Sequence, residues 1–151
     1  MTDRPIFTRT GDGRLDHWLV DGRHDFSVFP RGIVPDVSET TPIRLSVGDR
    51  SFGEVHITGK HEGLLKKNNM STPELVYLKL ADPGAVHCCE EKKKLKINLA
   101  IHPSALLILT LVERIGEIPF FSVTTMYQKN RRVDGMRYGR YPGRLSAYKN
   151  G

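Results

Sequence analysis

The chain has 151 residues, of which 38% are hydrophobic and 26% charged, enough for one domain with a true core. Its apolar runs stop far short of the roughly 20 residues a membrane-spanning helix needs, and the start, MTDRPIFTRTGDG, lacks the basic and apolar pattern of a secretory signal. Lysine and arginine number 23 against 17 aspartates and glutamates, a net charge of +6, which favours a polyanionic partner. The two cysteines, Cys88 and Cys89, are neighbours expected to be reduced, which suits a cytoplasmic setting, and no membrane is expected.

In chain order, RLDHWLV and RHDFSVF flank Asp21-Gly22, a pattern that predicts a hairpin. The next segment, PRGIVPDVSETTP, is too proline-rich for a helix or a central strand and reads as a connector. Residues 1–42 are therefore expected to form an N-terminal hairpin and connector. IRLSV and RSFGEVHI around Gly48-Asp49 predict a second hairpin. Thr58-Gly59 then caps a short helix through HEGLLKK, and Ser71-Thr72-Pro73-Glu74 is a capping box that opens another through LVYLKLA.

KLKINLAI alternates cleanly, with Leu95, Ile97, Leu99 and Ile101 on one face and Lys96 and Asn98 on the other. Ala105 to Val112 is a nearly continuous apolar run, read as a central strand, and IPFFSVTTMYQK returns beside it as its hairpin partner. The expected fold is α+β, with N-terminal hairpins and two short helices packed on an antiparallel β-meander, the main domain spanning residues 43–130. Residues 131–151 interleave Arg131, Arg132, Arg137, Arg140, Arg144 and Lys149 with Tyr138, Tyr141 and Tyr148. Glycines and a proline argue for an extended arm, whose arginines and tyrosines suit single-stranded nucleic acid.

Two stretches carry chemistry. Lys60-His61 follows Gly59 at the predicted start of a helix, where backbone amides attract phosphate; His61 can exchange a proton near neutral pH, whereas Lys60 supplies charge. In FFSVTTMY the period of two puts Phe121, Val123, Thr125 and Tyr127 on one side, so a hydroxyl and a phenol can reach one phosphate or base from the same face. Cys88, Cys89 and His87 are not joined by a second Cys or His pair at zinc spacing, and His17 and His24 are too isolated to complete such a site. No metal or cofactor is expected, and no phosphate-binding loop or hydrolase motif occurs.

The order of GKH, helices ended by LADPGAV, an alternating strand, an apolar strand and a final VTTMY resembles the phage-associated nucleases of the barnase, colicin and RelE-type ribonuclease superfamily. The resemblance covers roughly residues 43–130. It implies a toxin-type or phage endoribonuclease that cleaves RNA without metal, through 2′-hydroxyl attack, to a 2′,3′-cyclic phosphate. It also implies His61, Lys60, Thr125 and Tyr127 as catalytic residues. Lys96, Asn98 and the arginines and tyrosines of the tail would bind RNA, either single-stranded or tRNA, and an acidic immunity or inhibitor protein is a further partner of this kind of enzyme. The general acid has no motif, His56 and His102 being the candidates. The alternative from another class is a non-catalytic nucleic-acid-binding or partner-binding protein of a phage or mobile element.

Overall fold

A computed structural model describes residues 4–91, 94–101, 105–127 and 135–150. The fold is α+β, with a curled mixed sheet and a few short helices. A two-stranded ribbon pairs β1 (Phe7–Arg9) with β2 (Trp18–Val20). The main sheet contains β3 (Ser27–Phe29), β4 (Thr41–Arg44), β5 (Gly84–Glu91), β6 (Lys94–Ile101), β7 (Ala105–Val112), β8 (Phe120–Tyr127) and β9 (Met136–Tyr141). They lie in the order β3-β4-β8-β7-β6-β5-β9, antiparallel except for the β4–β8 pair. The helices are α1 (Gly53–Lys60), α2 (Glu62–Lys67), α3 (Thr72–Lys79) and α4 (Arg144–Asn150). No described helix is long and apolar enough to cross a membrane.

In the meander β6-β7-β8, β6 and β7 have the bounds expected of them and β8 falls within IPFFSVTTMYQK. One face gives the core Ile97, Leu99, Leu107, Leu109, Phe121 and Val123, completed by Ile57, Leu65, Val76 and Leu80 from the helical layer. The capping box is formed as expected: the Ser71 hydroxyl accepts a hydrogen bond from the Glu74 amide at 3.3 Å, with proline in the first turn of α3.

Three expectations are corrected. RLDHWLV and RHDFSVF pair with each other only at the Asp21-Gly22 turn, through the Val20↔Arg23 bridge, and do not continue as a two-stranded hairpin. Trp18–Val20 pairs with β1, and β3 pairs with β4, so the proline-rich segment between β3 and β4 is a loop within the sheet's own framework rather than a connector to it.

The second predicted hairpin is half right, because β4 forms but RSFGEVHI turns into α1. Gly53 adopts φ +77°, and a side chain there would press on the Ser46 carbonyl oxygen at 2.7 Å. The turn it permits places the amides of Glu54 and Val55 on the carbonyls of Ser46 and Val47, both at 3.0 Å, which satisfies two of the amides that the start of a helix leaves unpaired.

The tail is not an extended arm. Met136–Tyr141 is an edge strand on β5, and Arg144–Asn150 is a helix packed on β3. Gly139, at φ +117°, stands at an irregularity of the β5–β9 ladder, opposite Val86, so the glycine that argued against regular structure is what lets the strand form. One sheet therefore takes strands from both sides of the boundaries expected near residues 42 and 131.

Candidate functional site

The parallel pairing of β4 with β8 covers Ile43↔Phe121 and Arg44↔Ser122. Beyond it, α1 packs along β8. Two histidines occupy this seam. His61 donates from Nε2 to the Met126 carbonyl at 2.6 Å, and His56 reaches the Thr125 hydroxyl with Nε2 at 3.0 Å.

The VTTMY segment carries a bulge. Val123 pairs with Leu109 and Thr125 with Ile108, so Thr124 has no partner of its own in the ladder. Met126 thereby turns into the core with Phe121 and Val123, against the strict alternation expected. Thr125 and Tyr127 still share a face, now the one opposite the core, as their partners Ile108 and Leu106 show.

On this face a compact constellation forms. The Nδ1 of His56 lies 2.8 Å from the Arg50 carbonyl. A carbonyl only accepts, so in the neutral ring Nδ1 carries the proton and Nε2 is the basic nitrogen, aimed at Thr125. Residues His56 and Lys60 are one helical turn apart on α1 and face the same strand. The Lys60 ammonium sits 3.4 Å from the centroid of the Tyr127 ring, a cation–π contact. A hydroxyl, a base oriented by a third group and an exposed cation thus stand together, the arrangement that acid–base chemistry on a phosphoryl or acyl group uses.

The structure brings Lys60, Thr125 and Tyr127 together as expected but gives His61 another place. It is 6% exposed, lies between α1 and α2 rather than at an open helix start, and spends Nε2 on a backbone carbonyl. A buried ring donating from that atom is poorly placed to take a proton from a substrate. Lys60 closes α1 and His61 is the N-cap of α2, so the pair does stand at a helix start, with the His61 ring turned onto the Met126 carbonyl. His56 was legible only as a histidine without a motif; the signal that would have found it is its spacing from Lys60, which matters once the segment is a helix.

Of the RNA-binding expectations, Arg137 and Arg140 are exposed on β9 and Lys96 is half-buried on β6. Asn98 is only 5% exposed, so its amide is largely withdrawn from solvent. Tyr138 is half-buried and packs against the core. Tyr141 is fully buried, donates its hydroxyl proton to the Leu80 carbonyl and cannot offer a stacking face. Arg144 stacks at 3.5 Å on the Tyr77 ring and bonds the Tyr77 carbonyl, which ties α4 to α3. Arg131, Arg132 and His102 lie outside the described residues. Among the described residues no group of three or more His, Cys, Asp or Glu side chains is arranged to hold a metal ion.

At the other end of β8 the fold assembles a cluster that the sequence did not announce. His17 and His24 meet with ring centroids 5.8 Å apart, and Phe120 is flanked by His17 and by the guanidiniums of Arg44 and Arg114. No protein-family model, curated protein or solved structure matches the chain.

Proposed function

We propose that the protein is a metal-independent endoribonuclease on a barnase/RelE-like α+β scaffold, of the phage or toxin type, with His56 in the role first expected of His61. The observation that carries this reading is the pairing of His56 Nε2 with Thr125 Oγ1 at 3.0 Å while Nδ1 is fixed on the Arg50 carbonyl. A ring held in one tautomer with its basic nitrogen on an accessible polar face is suited to taking the proton of a ribose 2′-hydroxyl. That oxygen attacks the adjacent phosphorus, the P–O5′ bond breaks and the leaving 5′-oxygen takes a proton from solvent water, giving a 2′,3′-cyclic phosphate and a 5′-hydroxyl. Thr125 would hand its hydroxyl to a phosphate oxygen, Lys60 and Lys96 would offset the growing negative charge, and Tyr127 would orient the substrate. The net charge of +6 suits RNA as substrate and an acidic immunity or inhibitor protein as partner.

Incubation with RNA and with DNA in the presence of EDTA tests this. RNA should be cut to cyclic-phosphate ends and DNA left intact, and folded His56→Ala should lose at least about a hundredfold in rate, the usual worth of a general base. Loss of cutting in EDTA, equal cutting of both polymers, or full activity in His56→Ala would overturn it.

A second reading has its own observation. Both ring nitrogens of His56 and the Nε2 of His61 already have partners within the protein, as they would in a seam that merely joins α1 to β8. In that case the protein binds nucleic acid or a partner without turnover, and binding weakens steeply with salt while His56→Ala leaves it unchanged.

A further inference from the structure

The cluster at the start of β8 draws on five parts of the chain. His17 precedes β2, His24 and Asp25 precede β3, Arg44 ends β4, Arg114 and Glu117 follow β7, and Phe120 opens β8. Around them lies a cavity of about 230 Å³ lined by His17, His24, Arg44, Glu117, Ile118 and Phe120. Two guanidiniums and two imidazoles converge here against two carboxylates. Asp25 takes Arg44 through Nε at 2.9 Å, on one edge of the guanidinium, and Glu117 meets Arg114 at 3.6 Å. Asp16, next to His17, is engaged by the Thr10 hydroxyl and the Gly13 amide.

The Nδ1 of His17 is buried and has no hydrogen-bond partner among the described residues. A buried polar atom left unpaired is costly, and such atoms mark places where something else binds. Burial, then His24, Arg44 and Arg114, hold the His17 pKa below its ordinary value, with Glu117 opposing. An anion among these groups would reverse the repulsion and give the imidazoles and guanidiniums charge-assisted partners.

We propose that the His17–His24–Arg44–Arg114 cluster is a binding site for a phosphate-type oxyanion, separate from the His56 centre. Its cavity admits a phosphate group, and the planar guanidinium of Arg44 lies at its wall. Binding is coupled to proton uptake by His17, so it tightens as pH falls through the imidazole range. The Phe120 end of β8 and Thr125 present the same face of the sheet, their β7 partners Val112 and Ile108 being roughly 13 Å apart at about 3.3 Å per residue. The same oxyanion chemistry could therefore come from a free phosphate or from a phosphodiester of a strand lying along β8.

The test follows the Cε1–H resonances of His17 and His24 by NMR during titration of the full chain, once with inorganic phosphate and once with a short single-stranded oligonucleotide lacking terminal phosphates. Saturable shifts of both resonances are expected, with affinity rising on going from about pH 8 to about pH 6. The exposed His24→Gln variant and Arg44→Gln should each weaken binding, by about tenfold for Arg44. His56→Gln should bind inorganic phosphate here as the wild type does, so failure of the nuclease reading does not touch this one. Shifts with phosphate identify a small-anion site, and shifts with the oligonucleotide alone identify a phosphodiester site. No shift with either probe, or shifts indifferent to both His24→Gln and Arg44→Gln, would overturn the proposal. If Arg44→Gln does not fold, His24→Gln decides.

Discussion

Ser27 on β3 and Tyr141 on β9 stand on the first and last strands of the main sheet, yet their hydroxyl oxygens are 2.5 Å apart. Tyr141 gives its single proton to the Leu80 carbonyl, so Ser27 is the donor to Tyr141. Both residues are fully buried. The sheet curls until its two ends share a hydrogen bond, with the carbonyl end of α3 as the third party.

Removing the Tyr141 hydroxyl takes the partner of the buried Ser27 hydroxyl and one of two donors to the Leu80 carbonyl, which keeps the Arg144 amide at 3.1 Å. Tyr141→Phe should destabilise the fold by about 1–3 kcal/mol, measured by urea denaturation at neutral pH. Burial pushes the Tyr141 pKa up from 10.0 to about 12, against smaller opposing effects of Ser27 and Arg144. A raised folded pKa means that this contribution is whole below pH 10.0 and is lost as pH rises toward about 12. The wild type should therefore weaken over that window, and Tyr141→Phe should show a smaller alkaline loss.

Removing residues 136–151 is a harsher version of the same experiment. It takes Tyr141 and Ala147 from the core and the β9 ladder from β5. The truncated chain should lack a cooperative thermal transition. A truncated protein that melts as the full chain does would restore the idea of a dispensable arm.

His17 sets the acid limb. Its folded pKa is lowered by burial and by the neighbouring His24, Arg44 and Arg114, so the unfolded chain takes up the proton first as pH falls. The associated stability is complete above the unfolded value of about 6.5 and is lost as pH drops from there toward the lower folded value. Urea midpoints between about pH 7.5 and pH 5 should fall in the wild type and fall less in His17→Gln.

The two histidines of the α1 seam should separate by what they damage. His61→Ala leaves the Met126 carbonyl without its imidazole donor and should cost about 1–3 kcal/mol of stability. His56→Gln should keep the fold and lose RNA cleavage. Thermal melts and cleavage assays on the two proteins give the comparison, and a fully active His56→Gln would leave the Thr125 pairing without a catalytic role.

The sequence was most informative where side chains alternate strongly. KLKINLAI appears as β6 with the expected bounds, because a two-residue period of apolar groups has few other ways to be buried, while ALLILTLV, an apolar run too short to favour a helix, appears as β7 and FFSVTTMY as β8. VHI in α1 mimics that period over too few residues, and the φ of Gly53 that diverts it is set by the nearby Ser46 and Gly48 backbone. β9 was hidden because an edge strand with glycine in it buries little and leaves little pattern. Thr125, Tyr127 and Lys60 could be read together from residue type. The choice of His56 over His61, and the meeting of His17 with His24, depend on contacts between residues distant in the chain.

Thr124 acts as a spacer that sets the phase of everything after it. Pairing it into the ladder would restore strict alternation to β8, and each later residue would exchange sides: Met126 would point outward, while Thr125 and Tyr127 would press polar groups into the hydrophobic layer. The core's need for Met126 and the outer face's need for Thr125 and Tyr127 are thus met by one unpaired residue. Removal of Thr124 should leave Thr125, Met126 and Tyr127 on their present partners and sides, since this position is the extra residue that the ladder passes over.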